Sequence, residues 1–108
     1  MDQDLYTEFI NIDGRPALAV RGEIDMATAP QFLCACNRLT PAADQLVLDF
    51  TDVTFIDSSG LKVLVAQSKR SGVTGIRVLH ARQAIMRTFR TTGLAHFAAD
   101  PPLASATG

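Results

Sequence analysis

The chain has 108 residues, 47% of them hydrophobic and 19% charged, with ten basic and eleven acidic side chains and a formal net charge of -1. That length suits one domain, and the balance suits a soluble globular fold. It argues against a strongly basic nucleic-acid binder or a protein drawn to anionic membranes. No stretch has the length and apolarity of a membrane span, and no basic region followed by an apolar run opens the chain, so a cytoplasmic protein is expected.

The first predicted strand is Leu5 to Ile12. Asp13-Gly14 is a turn signal, and Ala17 to Gly22 reads as a second strand, so the chain should open with a hairpin at one side of a sheet. Thr28 is a candidate N-cap, with Gln31 three positions on as a capping box requires and Pro30 in the tolerant first turn. Ala29, Phe32, Leu33, Cys36 and Leu39 then recur at helical spacing, and Pro41 ends the pattern. Cys34 and Cys36 are two apart, which points them to nearly opposite sides of that helix and argues against a disulfide or a shared metal.

Leu46-Val47-Leu48-Asp49-Phe50 suits a central strand, and Phe55 and Ile56 add a second apolar anchor. Asp57-Ser58-Ser59-Gly60 breaks the pattern before an apolar helical stripe of Leu61, Leu64 and Val65. That helix is expected to end at Gly72. Lys62, Gln67, Lys69 and Arg70 flank its stripe as a solvated face. Lys62, one turn from Ser59, is also a candidate contact for an acidic patch on a partner. Gly75 to Leu79 reads as a further strand. A helix from Arg82 or Gln83 to Thr91 should bury Ile85, Met86 and Phe89. Leu94 to Phe97 is expected as a last edge strand, and residues 99–108 as a flexible tail. Strands alternating with helices after a hairpin predict an α/β fold with a mixed central sheet and helices packed on it, residues 1–98 forming a single domain.

Small polar residues where a strand hands over to a helix mark the candidate site, because such junctions gather at the carboxyl edge of an α/β sheet. Two readings of the serines stand side by side. In one, a serine caps the helix; in the other, a serine there accepts a phosphoryl group, adding about two negative charges beside Asp57. A serine hydrolase built on Ser59 and His80 is a weaker reading, since no GxSxG elbow surrounds Ser59. The acids and separated histidines have no metal-ligand spacing, and no glycine-rich phosphate loop is present. Neither a metal nor a cofactor is expected.

Several segments in order resemble the STAS family, specifically the bacterial anti-sigma factor antagonists. Gly22-Glu23-Ile24-Asp25 is similar to the family's G-E-[LI]-D segment, continued by Ala27-Thr28-Ala29-Pro30. Val47-Leu48-Asp49-Phe50 with Val53, Phe55 and Ile56 resembles its central strand. Asp57-Ser58-Ser59-Gly60-Leu61 is similar to D-S-[ST]-G-L, and Thr92-Gly93-Leu94 to its T-G-L. The resemblance covers about residues 5 to 98.

It implies that Ser59 is the residue phosphorylated by a cognate anti-sigma serine kinase. Asp57, Ser58 and Gly60 would belong to the partner-binding surface, with Glu23, Asp25 and Thr28 on a neighbouring loop; Lys62 joins that surface by its charge and its place one turn from Ser59. The unphosphorylated protein would bind an anti-sigma factor and free the sigma factor; phosphorylation would turn binding off, and a PP2C-like serine phosphatase would restore it. The resemblance implies no enzyme activity, no cofactor and no direct nucleic-acid contact. A STAS switch or scaffold acting on a target other than a sigma factor is the alternative.

Overall fold

A computed structural model describes residues 5–98. The segment 99–108, expected as a flexible tail, lies outside the described residues. The order of elements is β1 (Leu5–Ile12), β2 (Arg15–Ile24), α1 (Ala29–Arg38), β3 (Gln45–Ile56), α2 (Ser58–Ser68), β4 (Gly75–Leu79), α3 (Gln83–Thr91) and a short 3-10 turn over Ala95–Phe97. The sheet runs β1-β2-β3-β4. β1 and β2 are antiparallel, and β2, β3 and β4 are parallel neighbours. This is the mixed sheet with a leading hairpin that the alternation of patterns predicts. Asp13 and Gly14 make the hairpin turn with φ of 51° and 81°, the doubly positive backbone that matches strand twist.

The core lies between the sheet and its helices. Phe50 of β3 meets Phe32 of α1 at 6.2 Å between ring centroids and Phe89 of α3 at 6.5 Å. Those two helices therefore share one face of the sheet, and α2 packs against α1. Leu18, Leu46, Leu48, Leu64 and Ile85 complete the buried centre. Each such side chain contributes about 1.5–3 kcal/mol by leaving water. No helix of the described residues is long and apolar enough to cross a membrane.

Polar side chains join α1 to α2, which corrects the reading of Gln67 and Arg70 as part of a solvated face. Gln67 is buried and donates to Asn37 Oδ1 at 2.7 Å. Arg70 reaches the C-terminal end of α1 and donates to the carbonyls of Cys36 at 2.9 Å and Leu39 at 3.0 Å. A guanidinium there satisfies carbonyls left open by the helix and meets the negative end of its dipole. Helical periodicity marks these positions as off the apolar stripe, but a second helix covers that flank.

Further expectations change. Phe55 is 47% exposed rather than an apolar anchor, and Leu33 also faces outward. The strand and the separate anchor are one twelve-residue strand, β3, in which Val53 and Ile56 carry the burial. Leu94 to Phe97 is not an edge strand. Gly93 turns the chain at φ 78°, Leu94 N–H donates back to Phe89 O at 2.7 Å, and the chain curls to bury Phe97. Thr28 occupies the N-cap position of α1 but makes no side-chain cap bond. Gln31 does not close a capping box either; its Nε2 donates to Leu5 O at 3.1 Å, tying α1 to β1. The second helix also ends earlier than expected, at Ser68, and Gly72 lies in the turn that follows.

Both cysteines are free thiols, Cys34 exposed and Cys36 buried. Burial pushes the Cys36 thiol up to about 12, only partly opposed by the nearby Arg70 charge. The thiolate is the reactive form. At mildly alkaline pH an alkylating reagent should therefore modify Cys34 in the folded protein and reach Cys36 only after denaturation. Peptide mass mapping checks this, and equal labelling of both in the native state would contradict the packing of α1.

Candidate functional site

The site grows from two strands that end together. β2 and β3 run parallel, and their last residues, Ile24 and Ile56, are register partners. The residues that follow, Asp25 and Asp57, therefore emerge side by side at the carboxyl edge. The Asp57 N–H donates to Ile24 O at 3.1 Å and staples the two exits together.

Asp57 itself starts α2. Its backbone is extended, and its carboxylate accepts the Ser59 N–H at 2.9 Å. Its carbonyl accepts the first helical bond, from Leu61 N–H at 3.0 Å. The cap is thus an aspartate and neither serine, which decides between the two readings of Ser58 and Ser59 as far as capping goes. A carboxylate suits the position because it satisfies an orphan N–H and faces the positive end of the helix dipole. Ser58 is exposed and Ser59 half-buried. Among the described residues neither serine hydroxyl takes a hydrogen bond, and the one contact of Ser59 with Asp57 is through its backbone.

Gly60 explains how close the helix start sits to the strands. A Cβ there would lie 2.5 Å from Ile24 Cγ2 and 2.8 Å from Ile56 Cγ1. Both are buried β-branched side chains with little rotamer freedom. Only glycine lets α2 press its first turn onto the two strand ends. Gly60 is a packing residue, and it fixes where Ser59 stands.

Beside this junction is the turn that leads into α1. The Asp25 carboxylate accepts the N–H groups of Ala27 and Thr28, each at 3.0 Å. Thr28 is buried; its hydroxyl accepts the Asp25 N–H at 2.9 Å and donates to Glu23 O at 2.7 Å. Both side chains are consumed in shaping the turn, whereas Glu23 is exposed. Gly22 enters the turn at φ 108°, beside an irregularity in the pairing of β2 with β3. That conformation is open to glycine and strained for other residues.

Two residues at this edge escaped the sequence reading. Met26 at the tip of the turn is 78% exposed, and Phe55, the register partner of Glu23, is half exposed. Large apolar side chains left in water at one polar edge are candidates for partner contact. Phe55 was hidden by its apolar neighbours Val53 and Ile56, and Met26 by lying in a turn without periodicity. A shallow groove of about 460 Å³ continues from Ser58 along α2, lined by Leu61, Lys62, Val65, Lys69 and Leu94. Lys62 is exposed on its rim. His80 ends β4 at φ 61° and makes no hydrogen bond to Ser59 among the described residues. No group of three His, Cys, Asp or Glu among the described residues could hold a metal ion.

The family model described as "Mlab, STAS domain" matches residues 10–103. The chain belongs to the STAS family. A solved anti-sigma factor antagonist from Mycobacterium paratuberculosis is 32% identical, with a TM-score of 0.72 over 94% of this chain and 90% of that one. The same fold occurs in the anti-sigma factor antagonist SpoIIAA in its unphosphorylated form, at 18% identity and a TM-score of 0.63 over 94% of this chain and 92% of that one. It occurs again in an antisigma-factor antagonist STAS domain from Rhodobacter sphaeroides, at 22% identity and 0.51 over 73% of this chain and 92% of that one. No curated protein matches the chain in sequence. As a STAS domain the chain is a phospho-regulated partner-switching module and not an enzyme.

The packing account makes Gly60 the most sensitive position of the STAS edge. Gly60→Ala gains about 1 kcal/mol of helix propensity but overpacks Ile24 and Ile56, at a cost of about 1–3 kcal/mol or more. A net loss of stability is expected in urea unfolding. An unchanged or higher midpoint would contradict the close approach.

Proposed function

We propose that this STAS domain is an anti-sigma factor antagonist whose switch is Ser59. In the unphosphorylated state it binds an anti-sigma factor with serine kinase activity and so frees the sigma factor. Phosphorylation of Ser59 by that kinase ends the complex, and a PP2C-like serine phosphatase resets it. The observation that carries the reading is the state of Ser59: its backbone is fixed by the Asp57 carboxylate while its hydroxyl takes no bond from the described residues. The 32% identity to an anti-sigma factor antagonist, over nearly the whole chain, supports it.

The contact surface in this reading is Glu23, Met26, Phe55, Asp57, Ser58, Ser59 and Lys62. Asp25 and Thr28 hold the turn, and Gly60 holds the helix start. A partner fitted over this edge surrounds a neutral hydroxyl. A phosphate adds about two charges within reach of the Asp57 carboxylate, and the partner must desolvate both. The helix N-terminus offsets only about 0.3–1 kcal/mol of that. A net penalty of about 3 kcal/mol weakens binding more than 100-fold.

A second reading keeps the switch and changes the target, which would then be a non-sigma partner. The match to a family model described as "Mlab, STAS domain" favours keeping it in view. Affinity capture from the source cell with wild type, Ser59→Ala and Ser59→Glu, read by mass spectrometry, separates the two. The first reading expects an ATPase-type serine kinase on wild type and Ser59→Ala, and its loss on Ser59→Glu. A partner set without such a kinase would move the function to the second reading. Partners retained equally by all three forms would contradict the switch itself.

Met26→Ala and Phe55→Ala give an independent check. Met26 is largely in water and Phe55 half exposed, so unfolding midpoints should move little, while the affinity for the captured kinase falls by at least about 10-fold for one of them, as docking anchors do. Full affinity in both variants would remove the apolar part of the surface.

A further inference from the structure

β1 forms a different edge of the molecule. β1 is an outer strand of eight residues that pairs with β2 without any shift of register. Proteins usually blunt such an edge with charged side chains, lysine above all, a proline, a bulge, brevity or a covering element. β1 has no lysine, proline or bulge, and Glu8 is its one charged side chain. The opposite edge is treated otherwise: β4 has five residues and is flanked by α2 and the 3-10 turn. On β1, Tyr6 and Phe9 are both 49% exposed, two of the five large apolar side chains in water among the described residues. The side-chain hydrogen bond made to this strand is at its end, from Gln31 to Leu5 O.

We propose that β1 joins a second copy of this chain, antiparallel and edge to edge, so that two four-stranded sheets become one. Hydrogen-bond geometry selects the register. Residues opposite each other in an antiparallel ladder share the same orientation of N–H and C=O. On a strand already paired with β2, every second residue turns those groups outward. A symmetric pair must therefore match odd with odd and even with even, and its two-fold axis passes through a residue. Centred on Glu8, the ladder would set two carboxylates face to face, which is destabilising. Centred on Thr7 or Ile10, it is shorter.

Centred on Phe9, the ladder runs through residues 6–12. Phe9 then meets the partner's Phe9, Tyr6 meets the partner's Ile12, Glu8 meets the partner's Ile10, and Thr7 meets the partner's Asn11. No like charges are opposed, and the aromatic–aromatic and aromatic–β-branched pairs are those that stabilise sheets. The Arg38 guanidinium, 5.7 Å from the Phe9 ring centroid, borders each ring of the pair. The interface is isologous and closes on itself.

The arrangement has a consequence for the switch. Leu5 is the register partner of Gly22, so the Leu5 end of β1 lies at the edge that carries Glu23 and Asp57. A two-fold axis at Phe9 sends the two switch edges in opposite directions. The dimer presents two outward sites, and phosphorylation at Ser59 does not touch the ladder.

Sedimentation of the full chain, from low micromolar to several hundred micromolar, tests this. A concentration-dependent dimer is expected for wild type and equally for Ser59→Glu, so the result does not depend on the proposed switch. Phe9→Lys opposes two ammonium groups and should raise the dimer dissociation constant by at least about 10-fold, with the circular dichroism spectrum unchanged. In a Cys34→Ser background, Phe9→Cys should oxidise to a covalent dimer much faster than Phe55→Cys, which is exposed to a similar extent but lies away from β1. A monomer throughout the range, a dimer indifferent to Phe9→Lys, or equal cross-linking of the two cysteine variants would overturn the proposal.

Discussion

The parallel pairing of β2 with β3, ending in register at Ile24 and Ile56, is what the rest of the working edge depends on. Two strands that stop together deliver two turns to one place. The Asp57 N–H closes onto Ile24 O, and Gly60 lets the first turn of α2 lie on both isoleucines. Every polar group at the edge is then placed by backbone geometry. The Asp25 turn uses its own carboxylate and the Thr28 hydroxyl as internal struts, and the α2 start uses the Asp57 carboxylate as a cap. What these struts leave unused are the Ser58 and Ser59 hydroxyls, with Glu23, Met26, Phe55 and Lys62 exposed at the same edge.

The energetics explain why such an edge suits a switch. The core behind it is close-packed through Phe32, Phe50 and Phe89, and α1 is held to α2 by Gln67 and Arg70. A rigid support means that a charge added at Ser59 is not absorbed by relaxation of the fold. It stays on the surface, where a partner must accommodate it. The cost falls on binding, and the stability of the domain is largely insulated from it.

The sequence carried much of this. The hairpin was legible from Asp13-Gly14, which adopt the doubly positive turn. The α/β alternation located α1, α2, β4 and α3, the helical period being clear in α1 and α3 and weak in α2. The site was legible only in outline. Asp57, Ser58 and Ser59 could be placed at a helix entrance, but not which of them was the cap, since aspartate and serine both fill that role. Thr28 and Gln31 satisfied a capping-box pattern, yet the turn before α1 took the Thr28 hydroxyl and β1 took the Gln31 amide. Phe55 read as core because periodicity does not reveal where a strand's end slips out from under its helices. Gln67 and Arg70 read as solvated because nothing local reports that α1 lies alongside. For Gln31, Gln67 and Arg70 a contact distant in sequence outweighed a local preference.

The central claim is that phosphorylation of Ser59 acts locally on a rigid junction. The most direct measurement is a comparison of backbone amide chemical shifts before and after stoichiometric phosphorylation, with the phosphate mapped by mass spectrometry. The account predicts phosphate on Ser59 and changes confined to the Glu23–Thr28 turn and the first turn of α2. Phosphate on another residue, or changes spread through β1, β4 and the Phe32–Phe50–Phe89 core, would contradict it.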